Sequence, residues 1–266
     1  MTDAHYPESA SGRDLDAPAM NSLALEVSIV LPCLNEISTL GICIDKAREA
    51  LDAGNVRGEI VIADNGSTDG SQAIALARGA RVVSVTERGY GAAVLGGLRA
   101  ARGVFVIQAD ADDSYDLSKI MPFIERLRDG HDLVVGNRFW GGIEPGAMPF
   151  LNRYLGNPAL SALAGMLFGR NARDFHCGLR AMSREKVLAL DLQGPGMEFA
   201  TEMIARALMA GLRVSELPIV LHRDGRARPS HLRPWRDGLR HVATMIRLRY
   251  GSIPVKQRAP EPRPLA

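Results

Sequence analysis

The chain has 266 residues and a net charge of +2, with 46% hydrophobic and 23% charged residues. That length accommodates one large α/β domain with a substantial core, and the composition excludes collagenous, disordered and coiled-coil classes. The charge is uneven: Lys occurs only at 46, 119, 186 and 256, while Arg223, Arg226, Arg228, Arg233, Arg236, Arg240, Arg247 and Arg249 crowd one C-terminal stretch, a pattern that suits phosphate or a membrane surface as well as a solvated face.

Residues 1–24 read as a polar, disordered leader with no apolar region of the kind an export signal needs. The near-continuous apolar run Val27–Pro32 predicts a buried parallel strand. Ile37, Leu40, Ile44, Ala47 and Leu51 recur at helical spacing and predict a helix. Strands are then expected at Glu59–Ala63, Arg81–Val85, Val104–Ala109 and Asp132–Gly136, alternating with helices at Gly70–Arg78, Gly91–Arg102 and Leu117–Arg128. This βαβα alternation implies an α/β fold with a mostly parallel central sheet and helices on both faces.

Past Gly136 the pattern loosens into a helix at Asn152–Leu167, a short segment at Asp174–Ser183, a helix at Glu198–Ala210 and a strand at Arg213–Leu217. Trp235, Leu239, Val242 and Ile246 then repeat at i, i+4, i+7 and i+11 between Arg residues, predicting a basic amphipathic helix that suits either a membrane surface or the domain's own core. Residues 251–266 read as a flexible tail. No stretch reaches the roughly 18 to 20 apolar residues of a membrane span. Cys33, Cys43 and Cys177 form neither a disulfide framework nor a CxxC pair, which fits a reducing cytoplasm.

Ligands of such sheets bind beyond the carboxyl ends of the strands. The segments there are Asn35-Glu36, Asp64–Ser67, Arg88–Gly91 and Asp110–Asp116, so acidic and polar residues converge on one rim. Asp110 and Asp112, two apart after a buried strand, suit a hard divalent cation, Mg²⁺ or Mn²⁺, that grips a diphosphate; an acidic helix cap is the alternative. Asp64 similarly suits either a ligand or a turn of Asx type. Gly89-Tyr90-Gly91 imitates a dinucleotide fingerprint but carries Val94 at the third glycine position, and no GxxxxGK[ST] loop is present.

The string Ser28–Glu36, taken with Asp64–Gly70 and Asp110-Ala111-Asp112, resembles family 2 glycosyltransferases of the GT-A fold. Gly136–Arg138, Asp174–Arg180 and Gly196–Glu202 resemble the dolichol-phosphate or polyprenyl-phosphate sugar synthase branch. The resemblance implies a GT-A domain over 25–250, with a nucleotide-binding half (25–136) and an acceptor half (137–250). It implies an inverting transfer from a UDP- or GDP-sugar, with Mg²⁺ or Mn²⁺, to polyprenyl phosphate or a soluble small molecule. A lipid phosphate acceptor is already anionic, whereas a hydroxyl acceptor needs a general base.

By this resemblance Pro32, Asn35, Glu36, Asp64 and Arg88 belong to the donor side, with Asp110 and Asp112 holding ribose and metal. Asp112, Arg138, Asp174 and Glu198 are the expected catalytic residues, the last two as bases for a hydroxyl acceptor. Arg138, Arg153, Arg226 and Arg228 are expected to face phosphate groups. Two departures stand out. Asp113-Ser114 replaces the Leu-Gln common after the acidic motif, leaving a metal position to water or His222, and the membrane hairpin of many relatives is missing. Cytoplasmic placement, with peripheral membrane contact through the basic helix, follows; a homo-oligomer is compatible and a nucleic-acid partner is not expected. A nucleotide-sugar-binding protein without turnover and a nucleotidyltransferase are the readings from other classes.

Overall fold

The computed structural model describes residues 24–169, 172–226 and 234–251. In chain order the first half comprises β1 (Val27–Cys33), α1 (Leu40–Ala53), β2 (Gly58–Asp64), α2 (Ser71–Ala77), β3 (Arg81–Ser84), α3 (Tyr90–Ala100), β4 (Phe105–Gln108), α4 (Met121–Arg128) and β5 (Leu133–Asn137). There follow the one-turn α5 (Arg138–Gly141), α6 (Asn157–Phe168), β6 (Arg180–Ser183), α7 (Arg184–Leu188), α8 (Phe199–Met209), β7 (Val214–Pro218) and α9 (Pro234–Tyr250). One turn of π-helix, Asn152–Gly156, leads into α6.

The seven strands form one sheet in the order β3-β2-β1-β4-β6-β5-β7. All pairings are parallel except those of β6, which runs antiparallel to both β4 and β5. The α/β class with a mostly parallel sheet is thus as expected. What the alternation did not reveal is that Asp174–Ser183 supplies a strand, inserted between β4 and β5. It is four residues long and begins with the fully buried Arg180, so it carries no apolar run to announce it.

Central β1 and β2 are apolar without alternation because both faces are covered. β1 extends one residue past Pro32 to Cys33. Its pairing with β4 ends opposite Val30, so the proline stands at the half-open end of the strand, where a missing N–H is tolerated. α1 buries Leu40, Cys43, Ile44, Ala47 and Leu51, whereas Ile37 precedes the helix and is exposed, contrary to its predicted place on the apolar stripe. α3 lies tight on the sheet: a Cβ at Gly97 would meet Val30 Cγ1 at 2.3 Å.

α9 packs against α8 and α6. Its docked face is His241, Thr244, Met245 and Leu248, while Leu239 and Ile246 of the predicted stripe are exposed; the Trp235 side chain lies outside the described set. No helix among the described residues is long and apolar enough to cross a membrane. The three cysteines are buried and unpaired, and burial pushes the Cys43 and Cys177 thiols up to about 12, so they are protonated and inert.

Candidate active site

The carboxyl ends of β1, β2 and β4 and the N-terminus of α3 surround a cavity of about 380 Å³. Pro32, Glu36, Arg88, Asp110 and Asp112 line it together with Asn65, Tyr90, Met197 and Arg226. Asn35 and Asp64 do not. The Asp64 carboxylate accepts from the backbone N–H groups of Gly66 (3.0 Å) and Ser67 (3.2 Å) and from Gln72 Nε2 (2.7 Å). All three bonds fall on Oδ2, a pattern of the Asx type, and Oδ1 receives one more from Ser67 N at 3.3 Å. Asn35, at φ 60°, accepts from Thr68 N through Oδ1 and donates its backbone N–H to Ser67 Oγ. These two residues shape the rim from behind.

Asn65, the neighbour of Asp64 that the sequence did not single out, lines the cavity. Its Nδ2 donates to the carbonyls of Val85 (2.9 Å) and Glu87 (2.7 Å), and its Oδ1 accepts from Gly89 N (2.9 Å). The loop carrying Arg88 is thereby tied to the end of β2, and Arg88 Nη1 returns a bond to the Asn65 carbonyl. The glycines of Gly89-Tyr90-Gly91 serve packing: a Cβ at either would meet the carbonyl of Pro195 or Gly194 at 2.1 Å. Their absent side chains let the 194–197 loop, with Met197, close one wall of the cavity.

Asp110 and Asp112 both face this cavity. Asp110 Oδ1 accepts from Tyr90 Oη at 3.0 Å, and Tyr90 Oη in turn accepts from Gln108 Nε2. Burial, and after it the Asp112 charge, raises the Asp110 pKa. Asp112 Oδ1 accepts from Ser114 N (3.0 Å) and Ser114 Oγ (2.6 Å), which fixes its rotamer. Its Oδ2 lies 2.7 Å from Arg226 Nη2, and Arg226 Nη1 stands 3.6 Å from Glu36 Oε1. Asp113, at φ 61°, turns away and pairs with Lys46 at 2.7 Å. The 222–226 segment is laced to the acidic loop by His222 N to Ser114 O and Gly225 N to Asp112 O, and this backbone pairing carries Arg226 over the carboxylates.

Several predicted residues stand elsewhere. Asp174 is fully buried and grips Arg138 through two 2.7 Å bonds, to Nε and Nη2, and a third to Arg138 N. Burial alone would lower the Arg138 pKa; the Asp174 charge and hydrogen bonds overcome it and raise it. An ion pair so closed is a brace, and neither of its residues lines the cavity. Glu198 heads α8 and bonds Gly196 N, lining a different hollow. Arg153 donates to Ile143 O and lies over the Tyr154 ring. The His222 ring bonds Glu144 Oε1 at 2.8 Å and lines a third hollow with Tyr115 and Lys119. His222 therefore does not join Asp110 and Asp112, because the Tyr115–Leu221 bridge directs its side chain to Glu144. Arg228 lies outside the described residues.

A family model for glycosyl transferase family 2 matches residues 28–190. The chain is a family 2 glycosyltransferase. It is 36% identical to the low-salt glycan biosynthesis hexosyltransferase Agl6 of Haloferax volcanii over 92% of its own length, and spans 58% of that relative. It is 33% identical to a dolichyl-phosphate hexose transferase of the same organism, over 73% of this chain and 82% of that one. Among solved structures, glucosyl-3-phosphoglycerate synthase of Mycobacterium tuberculosis in complex with Mn²⁺, UDP and glucosyl-3-phosphoglycerate superposes with a TM-score of 0.66 at 25% identity, covering 85% of this chain and 80% of that one. The glycosyltransferase has the GT-A architecture of these neighbours.

Whether the glycosyltransferase's own residues fit a divalent cation is answered by their chemistry. The described residues hold no cluster of three or more His, Cys, Asp or Glu arranged for a metal. Asp110 and Asp112 supply oxygens only, crowd one another's charge, and already draw a cation, the Arg226 guanidinium, to the cavity. Two carboxylates completed by phosphate oxygens and water are the usual protein share of an Mg²⁺ site, so the residues fit.

Proposed function

We propose that this glycosyltransferase moves a hexosyl residue from a nucleoside-diphosphate sugar to a polyprenyl phosphate, with inversion at the anomeric carbon. The observation that carries the reading is the set of carboxylates in the donor cavity. Glu36, Asp110 and Asp112 line it, whereas Asp174 and Glu198, the bases a hydroxyl acceptor would need, do not. A phosphate acceptor requires no base, since it is anionic near neutral pH. In this reading Asp110 and Asp112 hold Mg²⁺ or Mn²⁺, which when bound stabilises charge on the departing diphosphate. Tyr90 and Ser114 hold the two carboxylates in place. Arg88 and Arg226, both lining the cavity, face the diphosphate, and the Met197 wall excludes water from the anomeric carbon. Asn65, by tying down the Arg88 loop, positions it.

The acceptor half supports a lipid substrate. Phe150, Leu151, Tyr154 and Leu155 before α6, and Leu239, Ile246 and Tyr250 on α9, are exposed. Leu151, Leu155, Leu239 and Val242 share one groove with Asp237, and the exposed Arg240 and Arg247 stand on the same helix α9. Such an apolar and basic surface suits an anionic membrane. The likeness to a dolichyl-phosphate hexose transferase points the same way. A small anionic acceptor is the second reading, favoured by the structural neighbour solved with phosphoglyceric acid.

Product mass spectrometry over a panel of UDP- and GDP-sugars, with Mg²⁺ or Mn²⁺ and either polyprenyl phosphate or aqueous small-molecule acceptors, tests both. Glycosylated polyprenyl phosphate is expected. Product with aqueous acceptors alone selects the second reading, and no metal-dependent release of nucleoside diphosphate from any donor overturns both.

A further inference from the structure

A cavity of about 570 Å³ opens between α5, α6 and the Ala172–Arg173 turn, and it shares no lining residue with the donor cavity. Its volume is that of a small-molecule site. Two polar groups among its lining residues have no hydrogen-bond partner among the described residues: Asn137 Nδ2 and Ser161 Oγ, in residues 1% and 8% exposed. The orientation of the Asn137 amide is determined by its other end, because Oδ1 accepts from Trp140 N at 3.0 Å and caps α5; flipping the amide would set NH₂ against N–H. Native folds keep few buried donors without acceptors, and each one calls for an account. Here two such groups, from separate elements, line the same cavity.

The remaining walls are specific. Phe139 and Trp140 are partly exposed, at 39% and 53%. The Arg173 guanidinium stands 5.7 Å from the centroid of the Trp140 ring and makes no ion pair among the described residues. No acidic side chain lines the cavity. The described lining thus offers one amide NH₂, a hydroxyl, a positive charge and an aromatic face, and its side chains carry no negative charge.

We propose that this cavity binds a sugar ring bearing an anionic group, either carboxylate or phosphate. The apolar face of a pyranose stacks on Trp140, ring oxygens accept from Asn137 Nδ2 and Ser161 Oγ, and the anion pairs with Arg173, whose fork suits both groups. The proposal stands independently of the transferase reading, since it uses none of the donor-cavity residues.

Isothermal titration of the full chain with glucuronate, glucose 6-phosphate, glucose and inorganic phosphate tests it. At least one of the two anionic sugars is expected to bind about tenfold or more tighter than glucose and phosphate, a difference of about 1.4 kcal/mol or more. Asn137→Asp keeps the capping oxygen but turns the free donor into an acceptor, and Trp140→Ala removes the stacking face from an exposed position. Each is expected to weaken sugar binding about tenfold or more while UDP binding is unchanged, which separates this site from the donor cavity and controls for folding. Arg173→Gln is expected to abolish the preference for the anionic sugar over glucose. The proposal is overturned if neither anionic sugar binds, if phosphate alone binds as well as the sugar phosphate, or if Asn137→Asp and Trp140→Ala leave binding unchanged.

Discussion

Arg226 competes with any cation that Asp112 is to hold, and Arg226→Gln measures that competition. The guanidinium lies 2.7 Å from Asp112 Oδ2 and 3.6 Å from Glu36 Oε1, with its side chain 15% exposed. Burial alone would lower the Arg226 pKa, but the Asp112 charge, and lesser contributions from Asp224 and Glu36, raise it. An ion pair on open surface is worth about 0–1 kcal/mol, and breaking a sealed one costs about 3–5 kcal/mol. This pair stands between them, nearer the surface value because the cavity opens to solvent, so about 1.4 kcal/mol, or tenfold, is the expected effect. In the absence of nucleotide, the variant should bind Mn²⁺ about tenfold more tightly, read as loss of the free-ion EPR signal. With donor present the same change should slow transfer, since a cation that faces the diphosphate is gone. Arg226→Lys, keeping the charge without the fork, should fall between. Mn²⁺ affinity unchanged or weakened in Arg226→Gln would refute the placement of the cation on Asp112.

Asp174→Asn leaves the buried Arg138 guanidinium without its counter-ion, and a loss of about 3–5 kcal/mol is expected; chemical denaturation showing less than 1 kcal/mol would show that the pair is no brace. Ser114→Ala removes the Oγ bond to Asp112 Oδ1 and leaves only the backbone N–H of residue 114 to hold its rotamer, so kcat/KM should drop about tenfold with little change in thermal midpoint, a cost of about 1.4 kcal/mol; an unchanged rate would show that Asp112 needs no such support. His241 is buried against α8, with Nδ1 2.8 Å from Thr201 Oγ1 and its ring edge-on to His176, and burial lowers its pKa from 6.5 to about 4 despite the opposing charges of Glu198 and Asp237. An unfolded His takes its proton near 6.5, so between pH 6.5 and 4 unfolding takes up a proton and the fold loses stability as pH falls, by on the order of 3 kcal/mol in all. His241→Asn should flatten that stretch of the stability profile relative to the parent chain, and parallel profiles would show that His241 does not contribute.

The donor half was legible because its elements answer to local rules. Buried parallel strands need continuous Val, Ile and Leu, and helices between them need a stripe, so chain order alone carried β1 to β5 with their helices. Residues at strand ends then followed from topology, and Glu36, Arg88, Asp110 and Asp112 do line one cavity. What failed there failed by one residue or one rotamer. Asp64 was placed on the donor side by resemblance, but a carboxylate at the end of a strand is also a good acceptor for the turn's own N–H groups; Asn65, neutral and able both to donate and to accept, is the side chain that bridges two loops. Tyr90 sat inside a glycine motif weighed for its glycines, and its hydroxyl shows its purpose only once β4 brings Asp110 beside it. His222 was a reasonable metal ligand by chemistry, and only the bridge that turns its side chain toward Glu144 removes it.

In the acceptor half, local rules and tertiary contacts disagree, and α9 shows why. Hydrophobicity selects Leu239, Val242 and Ile246 as its inner face, yet the surface it packs against is partly polar: Thr201 and His176 accept contact from His241, with Thr244, Met245 and Leu248 completing the seam. A helix whose buried face includes His and Thr is invisible to an apolar count, which assigns the interior to the most hydrophobic side. The outward stripe is then left beside exposed Leu151 and Leu155. Keeping that much apolar side chain in water costs solubility and gains nothing for the fold, so the mismatch between the stripe expected inside and the face found inside makes a partner for the outer face the expectation to test. Liposome co-sedimentation decides whether that partner is an anionic bilayer. Leu239→Glu with Ile246→Glu should release the protein from anionic vesicles without lowering its thermal midpoint, and retention of binding in that double variant would place the contact elsewhere.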